Sequence, residues 1–159
     1  QLDAAESALR ETAAQLRSTV TTLHPQVLAQ LGLTAALREL ADLFSRRGEI
    51  EMSVSLDDVG HPDCQELLYR VARELLTNVT KHAGATKVEL ALTRAGGQTT
   101  LTVADDGTGF DPAVVPERVA QGHIGLASHI VRVESLGGTF DVTSSPGSGT
   151  RVVVTVPDP

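Results

Sequence analysis

Within "ELLTNVTKHAGA", Glu74 to Ala85, four polar side chains stand within two helical turns of one another: Glu74, Asn78, Lys81 and His82. Asparagine is a mediocre helix former, but its amide oxygen can ligate Mg²⁺, a hard cation that takes few protein ligands and completes its shell with phosphate oxygens and water. Asn78 is therefore a candidate metal ligand. Three glycine-rich stretches follow. "DDGTGF", Asp105 to Phe110, sets Asp-x-Gly-x-Gly directly after a strand-like run, where glycines let the backbone turn tightly and approach a ligand. "GHIGL", Gly122 to Leu126, opens a helix whose free N–H groups could receive phosphate. "PGSGTRVVV", Pro146 to Val154, supplies a further glycine pair ahead of a strand. Taken singly, each has a plain explanation as a turn or a solvated helix face. Their order and spacing together carry the signal.

The elements that must position these residues follow from periodicity. Leu2, Ala5, Leu9, Ala13, Leu16, Val20 and Leu23 form one apolar stripe on a helix that Pro25 is expected to stop. A second helix is expected from Thr34, as N-cap, to Arg47, ended by Gly48. Met52, Val54 and Leu56 alternate as a half-buried strand. The polar set lies on a helix expected to start near Asp63, with Asp63 and Glu66 at capping-box spacing, and to stop at Gly84. On that helix Leu68, Val71, Ala72, Leu75, Leu76, Val79 and Ala83 fall within an arc of about 140° that must face a core. With Glu74 as zero, Asn78 lies at about 40°, Lys81 at about −20° and His82 at about 80°, beside the buried arc and not opposite it.

Downstream, Val88 to Leu92 and Leu101 to Val103 alternate around Gly96 and Gly97, as in a hairpin. After an irregular stretch over 111–122, a helix over about 125–136 leads to a second hairpin, Thr139 to Thr143 with Thr150 to Val156. Strands and helices mix without regular alternation, which favours an α+β two-layer sandwich.

Composition narrows the function. The chain has 159 residues, 41% of them apolar and 21% charged, and a formal net charge of −7. That acidity argues against direct nucleic-acid binding or general affinity for anionic lipid, so any polyanion must be held locally. No apolar run approaches the roughly 20 residues of a membrane helix, and the lone Cys64 excludes a disulfide framework. A cytoplasmic location is the default expectation. The chain opens at Gln1 without a signal-peptide pattern, so a fragment of a longer protein is expected.

The set "ELLTNVTKHAGA", "DDGTGF", "GHIGL" and "GSGTRVVV" resembles the N box and three glycine boxes of the GHKL (Bergerat) ATP-binding fold, which histidine kinases, gyrase-type ATPases, Hsp90-like chaperones and MutL-like repair proteins share. "LHPQVLAQLGLTAALREL", Leu23 to Leu40, is similar to the end of the dimerisation hairpin and the linker in histidine kinases of the nitrate-sensor and desaturase-sensor type, with His24 where those usually have arginine. The resemblance implies a mixed sheet covered on one face by helices, with residues 1–48 as hairpin helix plus linker and 49–159 as the catalytic domain. It implies ATP and Mg²⁺ as cofactors. Asn78 would chelate Mg²⁺, Glu74 would polarise the reacting groups or act as a base, and Lys81 and His82 would lie towards the phosphates. Asp105 would accept the adenine amino group and Thr150 would support adenine through water. Gly107 and Gly109 would let the backbone pass the base, and Gly122, His123, Gly125 and Leu126 would belong to the lid over the triphosphate.

In such kinases the acceptor is a histidine on the first helix of the hairpin. None of His24, His61, His82, His123 and His129 has that place, so the fragment is expected to bind ATP without phosphorylating itself. The implied partners are an upstream acceptor helix, a response regulator and a second copy in a full-length homodimer. Two alternatives stand beside this reading: a serine kinase of the anti-sigma-factor type, and a non-catalytic module whose ATP state gates a partner.

Overall fold

The computed structural model describes residues 24–47, 50–109 and 124–158. The apolar stripe over 2–23, the glycine expected to end the second helix and the irregular stretch over 111–122 lie outside the described residues.

Two helices lead in. α1 spans His24–Leu31 and α2 spans Leu33–Arg47. Pro25 stands in the first turn of α1, where a missing N–H costs nothing and a fixed φ suits the helix; the helix it is expected to stop lies outside the described residues. Thr34 is not the cap of α2. Its hydroxyl donates to the Asp57 carbonyl at 2.6 Å and accepts the Val59 N–H at 3.1 Å, tying α2 to the loop after the first strand.

That strand, β1 (Glu51–Leu56), is an edge, which is why Val54 stays 39% exposed while Met52 and Leu56 pack against the core. α3 spans Gln65–Asn78. The expected capping box does not form: no side chain caps the helix, and Glu66 pairs with Arg70 one turn on, at 2.6 Å. The Gln65 N–H is met by the Pro62 carbonyl at 3.0 Å. Beyond Asn78 the helix widens into a π-turn, Val79–Ala83, before Gly84 ends it in the left-handed conformation.

β2 (Lys87–Ala95) and β3 (Gln98–Asp105) form the expected hairpin. α4 (Ile124–Ser135) closes with the Gly137 N–H on the Glu134 carbonyl and the Gly138 N–H on the Val133 carbonyl, at 3.0 and 2.9 Å, the Schellman pattern. β4 (Thr139–Ser144) and β5 (Thr150–Pro157) make the second hairpin. The sheet order is β1-β2-β3-β5-β4, and only the β1–β2 pair is parallel. The sheet is therefore mixed, as the resemblance implied.

Alternation along β2, β3 and β5 puts Leu90, Leu92, Leu101, Val103, Val152 and Val154 on one buried face, against α2, α3 and α4. The other face carries polar and small residues such as Ser53, Glu89, Thr100 and Arg151 and takes no helix among the described residues. The fold is an α+β two-layer sandwich. The buried arc of α3 is wider than the sheet alone requires. Leu67 and Tyr69 are buried too, because α2 covers a second side of the helix.

Candidate functional site

The end of α3 carries the first half of the site. Glu74 and Asn78 are both half-buried, beside the sheet-facing residues Leu75 and Val79, so the wheel position read from the sequence is the observed one. Neither side chain makes a hydrogen bond or ion pair among the described residues. A half-buried carboxylate and carboxamide with no hydrogen-bond partner among the described residues suit an external ligand, since such groups normally find partners. Lys81 is exposed on the π-turn, which also holds His82. A π-turn closes i→i+5 bonds, so angles drawn at an α-helical 100° per residue do not carry past Asn78. π-turns of this kind occur often at functional sites.

The second half lies at the end of β3. Asp105 continues the Leu101–Val103 face towards the helices and is the register partner of both Val88 and Thr150. Its Oδ1 accepts the Gly107 N–H at 2.8 Å. Burial pushes the carboxyl above its ordinary pKa and Asp106 adds to this, while hydrogen bonds from the Gly107 and Thr150 backbone oppose it. Two accepted bonds leave a carboxylate with acceptor capacity for a ligand N–H. Thr150, half-buried beside it, shares a 2.9 Å hydroxyl contact with Ser144, whose hydroxyl also donates to the Gly149 carbonyl at 2.9 Å.

Gly107 is buried. Gly109 has φ +64, and a Cβ there would stand 2.1 Å from the Ser145 carbonyl oxygen. Gly149 has φ +77, and its Cβ would stand 2.0 Å from the Asp105 carbonyl oxygen. These glycines let two backbone loops touch: the Asp105–Gly109 turn docks on the β4–β5 turn, and the Gly147 N–H reaches the Thr108 carbonyl at 2.7 Å. Gly149 was not among the expected site residues. Its position directly before Thr150, in a third glycine pair, was the available signal.

Sequence reasoning also left Asp106 without a role. Its carboxylate accepts the Thr86 N–H, the Thr86 hydroxyl and the Lys87 N–H at 2.8, 2.8 and 2.9 Å. Those bonds commit Asp106 elsewhere and leave Asp105 as the aspartate facing the helices.

Of the expected lid, Gly125 stands in the first turn of α4 and Leu126 packs partly buried against the core, whereas Gly122 and His123 lie outside the described residues. His129 is half-buried on α4, which packs against α3. Burial lowers its pKa, Glu74 raises it, and Arg70, Arg132 and Arg73 lower it further. Cys64 is buried and its thiol is pushed above its ordinary pKa by that burial, which fits an inert residue. A depression of about 280 Å³ bordered by Glu51, Ser53, Glu89 and Asp106 opens at the β1–β2 side of the sheet, and neither Glu74 nor Asn78 lines it.

A two-layer sandwich with the N box at the end of α3 and an aspartate–glycine box at the end of β3 defines a class, and comparison with known proteins places the chain in it. Residues 63–159 match the family described as histidine kinase-, DNA gyrase B-, and HSP90-like ATPase, and the chain belongs to that family. It is 38% identical over 149 residues to the sensor histidine kinase NarS of Mycobacterium tuberculosis, covering 94% of this chain and 35% of that protein. It is 33% identical over 159 residues to the sensor histidine kinase MctS of Rhizobium johnstonii, covering 98% of this chain and 34% of that protein. The chain thus spans about a third of the length of these curated relatives. The histidine kinase domain of the blue-light activated histidine kinase of Erythrobacter litoralis superposes with a TM-score of 0.66 at 30% identity, over 79% of this chain and 60% of that one.

Proposed function

We propose that this chain is the ATP-binding catalytic region of a two-component sensor histidine kinase, which transfers the γ-phosphoryl group of ATP to a histidine outside these 159 residues for relay to a response regulator. The observation that carries the reading is the pair of half-sites: half-buried Glu74 and Asn78 on α3, without a hydrogen-bond partner among the described residues, and the half-buried acceptor Asp105 on β3. The similarity to sensor kinases along nearly the whole chain, lead-in included, favours this over the serine-kinase alternative.

In this reading Asp105 accepts the adenine amino group and excludes guanine, which presents an acceptor at that position, and Thr150 supports the base through water. Asn78 holds Mg²⁺, which when bound neutralises charge on the phosphates. Lys81, His82 and the lid residues Gly122, His123, Gly125 and Leu126 bind the triphosphate, with the free N–H groups at the start of α4 directed to it. Glu74 orients the acceptor imidazole or takes its proton as the P–N bond forms and ADP leaves. The work of the residues is positioning and charge compensation. The same reading makes the full-length protein a cytoplasmic-facing homodimer, whose second copy brings a further acceptor helix. Among the described residues no helix is long and apolar enough to cross a membrane.

Two outcomes check it. Incubated with labelled ATP and Mg²⁺, the chain should acquire no acid-labile phosphohistidine of its own, yet should phosphorylate a supplied acceptor-helix domain. Binding without transfer would favour an ATP-gated module. Asp105→Asn should lower ADP affinity by about tenfold or more, since hydrogen bonds to a charged group are roughly twice as strong as neutral ones and a carboxylate offers no opposing donor. The pH profile carries a sign. Asp105 has a raised folded pKa, so its protonation weakens adenine binding at a higher pH than an ordinary aspartate would. Over that window the native state binds more protons than the unfolded one, so this group stabilises the free protein as pH falls. Titration calorimetry with adenosine between pH 4 and 7 should show affinity decreasing as pH is lowered in the wild type, with that dependence reduced in Asp105→Asn.

A further inference from the structure

We propose that Asp106 is a positioning residue that fixes the separation of the two halves of the nucleotide site, by clamping the end of the N-box segment to the adenine strand without itself meeting the nucleotide. The inference rests on the nucleotide-site reading above and assigns a role to a residue which that reading leaves idle.

Three donors from one dipeptide converge on this carboxylate: Oδ1 accepts the backbone N–H groups of Thr86 and Lys87, and Oδ2 accepts the Thr86 hydroxyl. The Asp106 N–H returns a bond to the Lys87 carbonyl at 3.2 Å, and the Thr86 carbonyl accepts the Glu51 N–H at 2.8 Å. Thr86 is thereby held from both neighbouring strands. Its place in the chain gives this consequence. The β2–β3 ladder begins at Val88 with Asp105 and the Asp106 N–H extends it to the Lys87 carbonyl, so among the described residues the carboxylate is what ties Thr86 to the end of β3. Gly84 ends the segment that carries Glu74 and Asn78, and Asp105 directly precedes the clamp.

Asp106 thus joins the two half-sites: it directly follows Asp105, and Thr86 stands two residues after Gly84. Its carboxyl is exposed and unavailable as a ligand acceptor on the helix-covered side, and the same hydrogen bonds hold its pKa below the ordinary aspartate value. An exposed carboxylate gains little from any single bond to a neighbour, because water competes for it. Three converging bonds fix a geometry instead, and fixed geometry favours a ligand that must touch both half-sites at once. A ligand that touches only one gains nothing from it.

That difference sets the test. The 159-residue chain is titrated with adenosine, and separately with a non-hydrolysable ATP analogue plus Mg²⁺. Asp106→Ala should lower affinity for the triphosphate by about tenfold, the lower end of what outer-shell partners are worth in metal sites, while adenosine affinity changes by less than about twofold. Asp106→Asn keeps an amide oxygen for both backbone N–H groups and should restore triphosphate affinity to within about threefold of wild type. Should the alanine variant fail to fold, Thr86→Val removes only the hydroxyl bond and should still lower triphosphate affinity more than adenosine affinity. Equal proportional losses for the two ligands, or none in either variant, would overturn the clamp. A wild-type chain that binds neither ligand would refute the nucleotide site itself, whereas sensitivity to Asp105→Asn with indifference to Asp106→Ala refutes the clamp alone.

Discussion

Asn78→Ala should remove the Mg²⁺-dependent part of triphosphate binding, lowering affinity by about 100-fold in the presence of the metal and by little in its absence. Outer-shell partners of metal ligands are worth about 10–100-fold, and a direct ligand should be worth at least the upper part of that range. The fold gives no competing reason for a loss. Alanine is the better helix former at the last residue of α3, and the Asn78 amide holds no partner among the described residues, so the melting temperature should stay level or rise. Glu74→Gln belongs to the same experiment. The amide keeps the size of the side chain but cannot take a proton, so transfer to a supplied acceptor domain should fall by about 100-fold or more, with binding nearly unchanged. Calorimetry with and without Mg²⁺, beside single-turnover transfer, reads both. Full Mg²⁺-dependent affinity in Asn78→Ala would remove that residue from the metal site, and normal transfer in Glu74→Gln would reduce Glu74 to an orienting role.

The polar set on α3 was legible because one helix imposes one period: the buried arc and its flank follow from apolar spacing alone, and the structure keeps Glu74 and Asn78 on that flank. Both hairpins were legible for a similar reason, since their signals are local and use residue types that few other structures demand. What escaped depends on contacts distant in sequence or on a choice between equal local options. Thr34 and Asp63 have capping chemistry, yet Thr34 bonds to a loop 23 residues on, and α3 starts without a side-chain cap. Asp105 and Asp106 are chemically identical neighbours. The resemblance named Asp105, but what turns it and not Asp106 towards the helices is strand alternation and the Thr86–Lys87 donors nearly 20 residues upstream. The π-turn after Asn78 has no sequence signature that periodicity could detect, and it limits how far the wheel places Lys81 and His82.

A chain that begins at residue 50 should fail to fold cooperatively, although the sequence divides most naturally at 48/49 and the family match begins only at residue 63. Leu33, Leu37 and Leu40 of α2 are fully buried or nearly so, at 0%, 0% and 1% exposure, in the same core as Leu68 of α3 and Leu90 of β2. Burying one such side chain is worth about 1.5–3 kcal/mol, so three approach the roughly 5–15 kcal/mol that holds a whole domain together. Shortening also spares the entropy of ordering α2, which offsets part of the loss. It nevertheless strips the cover from Leu67 and Tyr69 and leaves the loop over 57–60 without its bonds to Leu33 and Thr34. The single variant Leu37→Ala isolates the packing component and should cost about 2–5 kcal/mol, read as a lower urea midpoint at an unchanged slope. A cooperative transition of wild-type midpoint in the shortened chain would mean that α2 merely rests on the domain. The expected collapse would make α2 part of it, so that a displacement of α2 reaches the far side of α3, the helix that carries Glu74 and Asn78, through packed side chains.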